Sequence, residues 1–77
     1  MNELATELAN LGKAELDIAE GEERITRQQI IVDAQRAKGE PAVKAEELLQ
    51  SLNSTLAIWH DHRQQILGRI AYLEARR

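Results

Sequence analysis

Seventy-seven residues with a formal net charge of −3 and no cysteine make one small domain at most. They exclude disulfides, thiolate metal sites and thiol catalysis, and they oppose a polyanion as the main partner. A chain this short buries a small share of its surface and usually needs a staple, a metal or a second chain, so self-association is expected before any motif is read.

Phenylalanine is absent, Trp59 and Tyr72 are the only aromatics, and Ala, Leu, Glu, Gln and Arg dominate, so helices are predicted and no strands. No apolar run approaches the roughly 20 residues that span a bilayer, and Met1-Asn2-Glu3-Leu4 lacks the basic start and apolar stretch of a signal peptide. The expectation is a cytoplasmic protein with no membrane contact. Residues 1 to 38 carry five Lys/Arg against eight Asp/Glu, whereas residues 39 to 77 carry five of each.

The first helix is predicted over about residues 2–38. Leu4, Leu11, Ile18, Ile25 and Val32 recur every seven residues, which makes them the d row of a heptad pattern. The row four residues further on reads Met1, Leu8, Glu15, Glu22, Gln29 and Arg36 and is taken as the a row, its apolar character fading toward the turn. Ala5, Gly12, Ala19 and Thr26 lie beside it, then Ala9, Leu16, Ile30 and Ala37. Together these positions sweep an arc of about 160°, wider than a two-stranded seam needs. Gly12 and Gly21 each cost a helix interior about 1 kcal/mol relative to alanine. They either permit close backbone approach, or Gly21 in "IAEGEER" breaks the helix in two. The heptad passes through Gly21 in phase, which favours one continuous helix.

The strongest punctuation is "AKGEPAV". Gly39 suits the left-handed residue after a helix and Pro41 the first turn of the next, so the turn is placed at 39–41 and the second helix at about 41–75. There Ala45, Leu49, Leu52, Leu56, Trp59, Arg63, Ile66, Ile70 and Leu73 alternate in spacings of four and three. A short connection makes the two long helices an antiparallel hairpin. The wide apolar arc then predicts that two hairpins dimerise into an antiparallel four-helix bundle. The expected core of hairpin and dimer is Leu4, Leu8, Leu11, Ile18, Ile25, Val32, Leu49, Leu52, Leu56, Trp59, Ile66, Ile70 and Leu73. The hairpin also sets Glu3 and Glu7 beside Arg69, Arg76 and Arg77. On the outside, Glu20 with Arg24, Glu23 with Arg27 and Glu40 with Lys44 have the favourable four-residue spacing.

"IWHDHRQQI", residues 58–66, is the densest stretch chemically. His60 and His62 are two apart, hence about 200° apart on a helix, and cannot bind one metal together. None of the residues three or four away is a good ligand, so no metal or cofactor is expected. There is no glycine-rich phosphate loop, no pocketed carboxylate pair and no serine beside a histidine, so no catalytic residue is assigned. Arg63 is the informative residue, a charge at an a position. Folding about residues 39–41 puts it level with Ile18, within reach of Glu15 and Glu22, and predicts a register-setting ion pair there, with Trp59 stacked under the guanidinium. The competing reading has Arg63 at the bundle edge, reaching out to water.

"AEGEERITRQQIIV", "AEELLQSLNSTL" and "HRQQIL" resemble a set of short helical proteins from rhizobium-like alphaproteobacteria. The matching positions are Gly21, Glu22, Arg24, Ile25, Arg27, Gln28, Ile31 and Val32, then Leu48, Leu49, Leu52, Leu56, His62, Arg63, Ile66 and Leu67, covering residues 19–67. "GEPAV" departs from the pattern, where an aspartate or threonine cap is more usual, and residues 1–18 have no counterpart. The resemblance implies a bacterial helical hairpin and supplies no activity, cofactor or ligand. The functional expectation is a non-enzymatic structural or interaction protein, a homodimer whose outer surface, marked by Ile31, binds a further protein. The alternative is an RNA-binding hairpin dimer using Arg24, Arg27, Arg36 and Lys38. Interleaved acids and scarce aromatics count against it.

Overall fold

A computed structural model describes residues 2–76 as two long helices and no strand. The Met1 row position and the Arg77 charge expected above lie outside these residues. Helix α1 runs Glu3–Ala37 and α2 runs Val43–Ala75, side by side in a rod of 60 × 15 × 14 Å. No helix among the described residues is long and apolar enough to cross a membrane.

Asn2 starts α1. Its backbone is extended and its Oδ1 accepts hydrogen bonds from Leu4 N (2.9 Å) and Ala5 N (3.4 Å), which satisfies donors that the first turn leaves without partners. Leu4 and the residues after it supply an apolar face, and the helix then passes unbroken through Gly21. Gly21 meets α2, since a Cβ there would lie 3.4 Å from Leu56 Cδ1, whereas Gly12 has nothing within 4 Å. Close approach therefore explains Gly21 alone.

At the other end Gly39 takes φ 73°, a conformation in which only glycine avoids a Cβ clash. It closes α1 in a Schellman arrangement: Gly39 N donates to Arg36 O (3.0 Å) and Glu40 N to Gln35 O (2.9 Å). Pro41 lies before α2 rather than in its first turn. Ala42, which precedes Val43, has no side-chain oxygen to cap the helix, and α2 begins two residues later than expected.

The seam is built from two rows on each helix. On α2, Ala42, Ala45, Leu49, Leu52, Leu56, Trp59, Arg63, Ile66, Ile70 and Leu73 are buried or half-buried. On α1, Leu4, Leu11, Ile18, Ile25 and Val32 form one row. The second row is Glu7, Ala14, Gly21, Gln28 and Gln35, three residues after each member of the first. The row expected from the sequence, four residues after, is exposed at Leu8, Glu15, Glu22, Gln29 and Arg36. Both candidate rows flank the apolar one, so α1 could have rolled either way. It rolls toward small Ala14 and Gly21, which admit α2 closely, and keeps Glu15, Glu22 and Arg36 in water.

Arg69 against Glu7, Arg63 against Glu15 and Leu56 against Gly21 set the register. Arg63 is therefore level with Ala14, one turn from the Ile18 level expected. Residues 40–42 are not helical and advance farther along the axis than the 1.5 Å per residue of a helix, which slides α2 down by about a turn. Ala14, Ile66 and Ile70 pack with Leu4 and Leu11 as the apolar cluster, and Ile66 and Val32 are completely enclosed.

Candidate functional site

The helical sequence that builds this seam also sorts the charges. At about 100° per residue, the rows flanking each side of the seam belong to opposite broad faces of the rod. One groove brings together Asn10, Lys13, Asp17, Trp59 and His62, and another Glu3, Thr6, Arg69 and Tyr72. These rows form the first broad face. A third groove joins Arg36, Glu46, Gln50, Asn53 and Ala57, and its rows form the second.

Following those rows along the chain, α1 gives the first face Lys13, Arg24, Arg27 and Lys38, and α2 adds Lys44, Arg69 and Arg76. Against these seven cations stand the three acids Glu3, Asp17 and Glu20. The second face carries one cation, Arg36, against the five acids Glu15, Glu22, Asp33, Glu46 and Glu74. The rod is thus basic on one broad side and acidic on the other, by four charges each way. Within it, Arg69 Nε donates to Glu7 Oε2 (3.0 Å) and Arg36 Nη2 to Glu46 Oε1 (2.7 Å). Arg27 pairs with Glu23 at 2.7 Å and Lys13 with Asp17 at 3.1 Å. Among the described residues Glu20–Arg24 and Glu40–Lys44 form no ion pair, and Arg76 lies over the Tyr72 ring, 5.2 Å from its centroid.

The stretch 58–66 is divided by this geometry. Trp59 faces the seam, His62 the basic side and His60 the acidic side. Arg63 Nη2 donates to Glu15 Oε2 at 3.4 Å. Glu22 lies about two turns away and makes no such pair. The Trp59 ring meets His62 edge-on, with centroids 6.2 Å apart at 67°, and among the described residues the cation–π contact is that of Arg76 with Tyr72 rather than the expected one of Arg63 with Trp59. Among the described residues no group of three or more His, Asp and Glu could hold a metal ion. The four cations of the RNA reading are split: Arg24, Arg27 and Lys38 lie on the basic side, and Arg36 lies on the acidic one, held by Glu46.

Large apolar side chains remain in water on every outer surface. Leu8, Leu16, Ile30, Ile31, Val43, Leu48, Ile58 and Tyr72 are 47–67% exposed. Leu8 is thus outside the hairpin seam, Leu16 and Ile30 are on the back of α1, and Ile31, Leu48, Ile58 and Tyr72 are on the basic side. Sequence reasoning missed the charge separation although its signal is present: acids and bases two residues apart on one helix point to opposite sides. No family model matches the chain, and no curated protein or solved structure matches it either.

Proposed function

We propose that this chain is a non-enzymatic interaction protein whose working unit is more than one hairpin, with a second copy laid against the first to make a four-helix bundle. The observation that carries this reading is the exposure of Leu8, Leu16, Ile30, Ile31, Val43, Leu48, Ile58 and Tyr72. Single exposed apolar residues are ordinary, but among the described residues they outnumber the buried apolar core, which is Ala14, Ile18, Val32, Ala42, Ile66 and Ile70. A two-helix rod has no third element to cover the remainder, and a chain of this size gains most of its missing burial from another chain.

Light scattering coupled to gel filtration at micromolar concentration tests the reading. The expected mass is at least double the 8.7 kDa of one chain, with a melting temperature that rises with concentration. A species of single-chain mass that melts cooperatively, at a temperature independent of concentration, would overturn it.

A further inference from the structure

The two charged faces determine how copies meet. We infer that the second copy docks with its acidic broad face on the basic broad face of the first, in the same direction and at the same height, so that α1 lies on α1 and α2 on α2. This inference rests on the self-association proposed above and specifies its interface.

Two independent features of the chain point to this arrangement. The first is electrostatic. Lys13 and Glu15, Arg24 and Glu22, Lys44 and Glu46, and Arg76 and Glu74 are each two residues apart. Such residues project about 200° from each other while differing by only about 3 Å in height. Displacing one rod sideways onto another, without turning it, therefore sets each of these cations opposite an acid of the neighbouring copy, while Lys38 meets Arg36, Asp17 meets Glu15 and Glu20 meets Glu22, so the preference rests on the opposite net charges of the two faces. A twofold dimer through either broad face would do the reverse, stacking an excess of four like charges on four like charges. Surface pairs of this kind add little affinity, but like-charge contact is strongly disfavoured, so charge selects the orientation.

The second feature is shape. On α2, Ile58 and Tyr72 project from the basic side and are 67% and 61% exposed. Their chain neighbours Ala57 and Ala71 lie on the acidic side at the same heights. The untwisted displacement thus seats each large side chain over an alanine of the next copy, and this burial supplies the affinity that the charges do not. An interface between two different faces leaves one free at each end, so the assembly is open and copies add head-to-tail.

Charge exchange tests this directly. Arg24, Arg76, Glu22 and Glu74 are exposed and outside the ion pairs within the hairpin. One double variant carries Arg24→Glu and Arg76→Glu, the other Glu22→Arg and Glu74→Arg. In sedimentation at low ionic strength, with helicity checked by circular dichroism, each variant alone is expected to associate at least tenfold more weakly than wild type. An equimolar mixture is expected to recover wild-type assembly, because each variant's altered face then meets the other's complementary one. A twofold interface would leave one double variant associating like wild type, and that result overturns the inference while leaving self-association standing. Loss in both variants without recovery on mixing overturns it as well. A wild-type chain that never associates removes both readings together.

Discussion

From the termini to mid-rod, the seam is oily: Ala14, Ile66 and Ile70 form a cluster against which Leu4 and Leu11 pack, with Ile70 level with Glu7, whose carboxylate turns aside to Arg69. From mid-rod toward the turn Ile25, Leu49, Leu52 and Leu56 continue the apolar seam, but glutamines and alanines enter it near the turn. There Val32 is enclosed beside Gln28 and Gln35, and the helix facing them offers Ala45 and Ala42. Gln28 Nε2 donates to Ala45 O at 3.0 Å, while Gln35 Oε1 is buried with no partner. The comparison separates two ways of joining a pair of helices. The terminal half is held by removing apolar surface from water and could drift apart without it. The turn half has in addition a covalent connection with a shaped glycine, and it carries glutamines in the α1 row that holds Glu7 and Ala14 in the terminal half.

The sharpest way to break this contrast is to cut the same kind of hole in each half. Ile66 and Val32 are both 0% exposed. Ile66→Ala removes the centre of the apolar cluster and is expected to cost about 3 kcal/mol, enough to leave much of so small a chain unfolded. Val32→Ala removes fewer carbons next to the tether and is expected to cost about 2 kcal/mol. Urea unfolding followed by circular dichroism measures both. Equal losses, or a larger loss at Val32, would mean that the halves are held in the same way.

Gln35 sharpens the contrast in the opposite direction. An acceptor buried without a hydrogen bond carries a desolvation cost with nothing to offset it. Gln35→Leu should therefore stabilise the hairpin by about 1 kcal/mol, a gain seen in the same urea titration. A loss instead would mean that the amide oxygen holds a partner, such as a bound water, that the turn half depends on.

How much of this could be read from the chain follows the same division. The α2 seam was legible because Leu49, Leu52, Leu56, Ile66, Ile70 and Leu73 leave a single apolar stripe, and Gly39 announced the turn because only glycine accepts that backbone. The second α1 row was not legible. Its members Glu7, Ala14, Gly21, Gln28 and Gln35 are small or polar, and what selects them is the fit of α2 across from them rather than any hydrophobicity of their own. Leu8 drew attention to the wrong row for that reason. The register was hidden as well, since it depends on how far residues 40–42 advance along the axis, a length that no side chain in the pattern encodes.

The smallest expected effect lies at the border between the halves, where Arg63 meets Glu15 at 3.4 Å. Both groups keep contact with water, so a double-mutant cycle on Arg63→Ala and Glu15→Ala should give a coupling of only about 0.5 kcal/mol, falling as salt is added. An arginine there still has a consequence that a coupling energy does not register. It sits level with Ala14, whose small side chain leaves room for it, and sliding either helix by one heptad would bring Arg63 against Glu7 or Gly21 and put Leu56 or Ile70 against Ala14. A heptad slip is nearly neutral for leucine and exchanges Glu15 for Glu7 or Glu22, whereas a slip of one turn would set the guanidinium against Leu11 or Ile18 of the apolar row. Arg63→Leu is therefore expected to raise stability slightly while widening the distribution of distances between spin labels at Ala9 and Gly68. A single narrow distribution, unchanged from wild type, would assign the register to the turn alone.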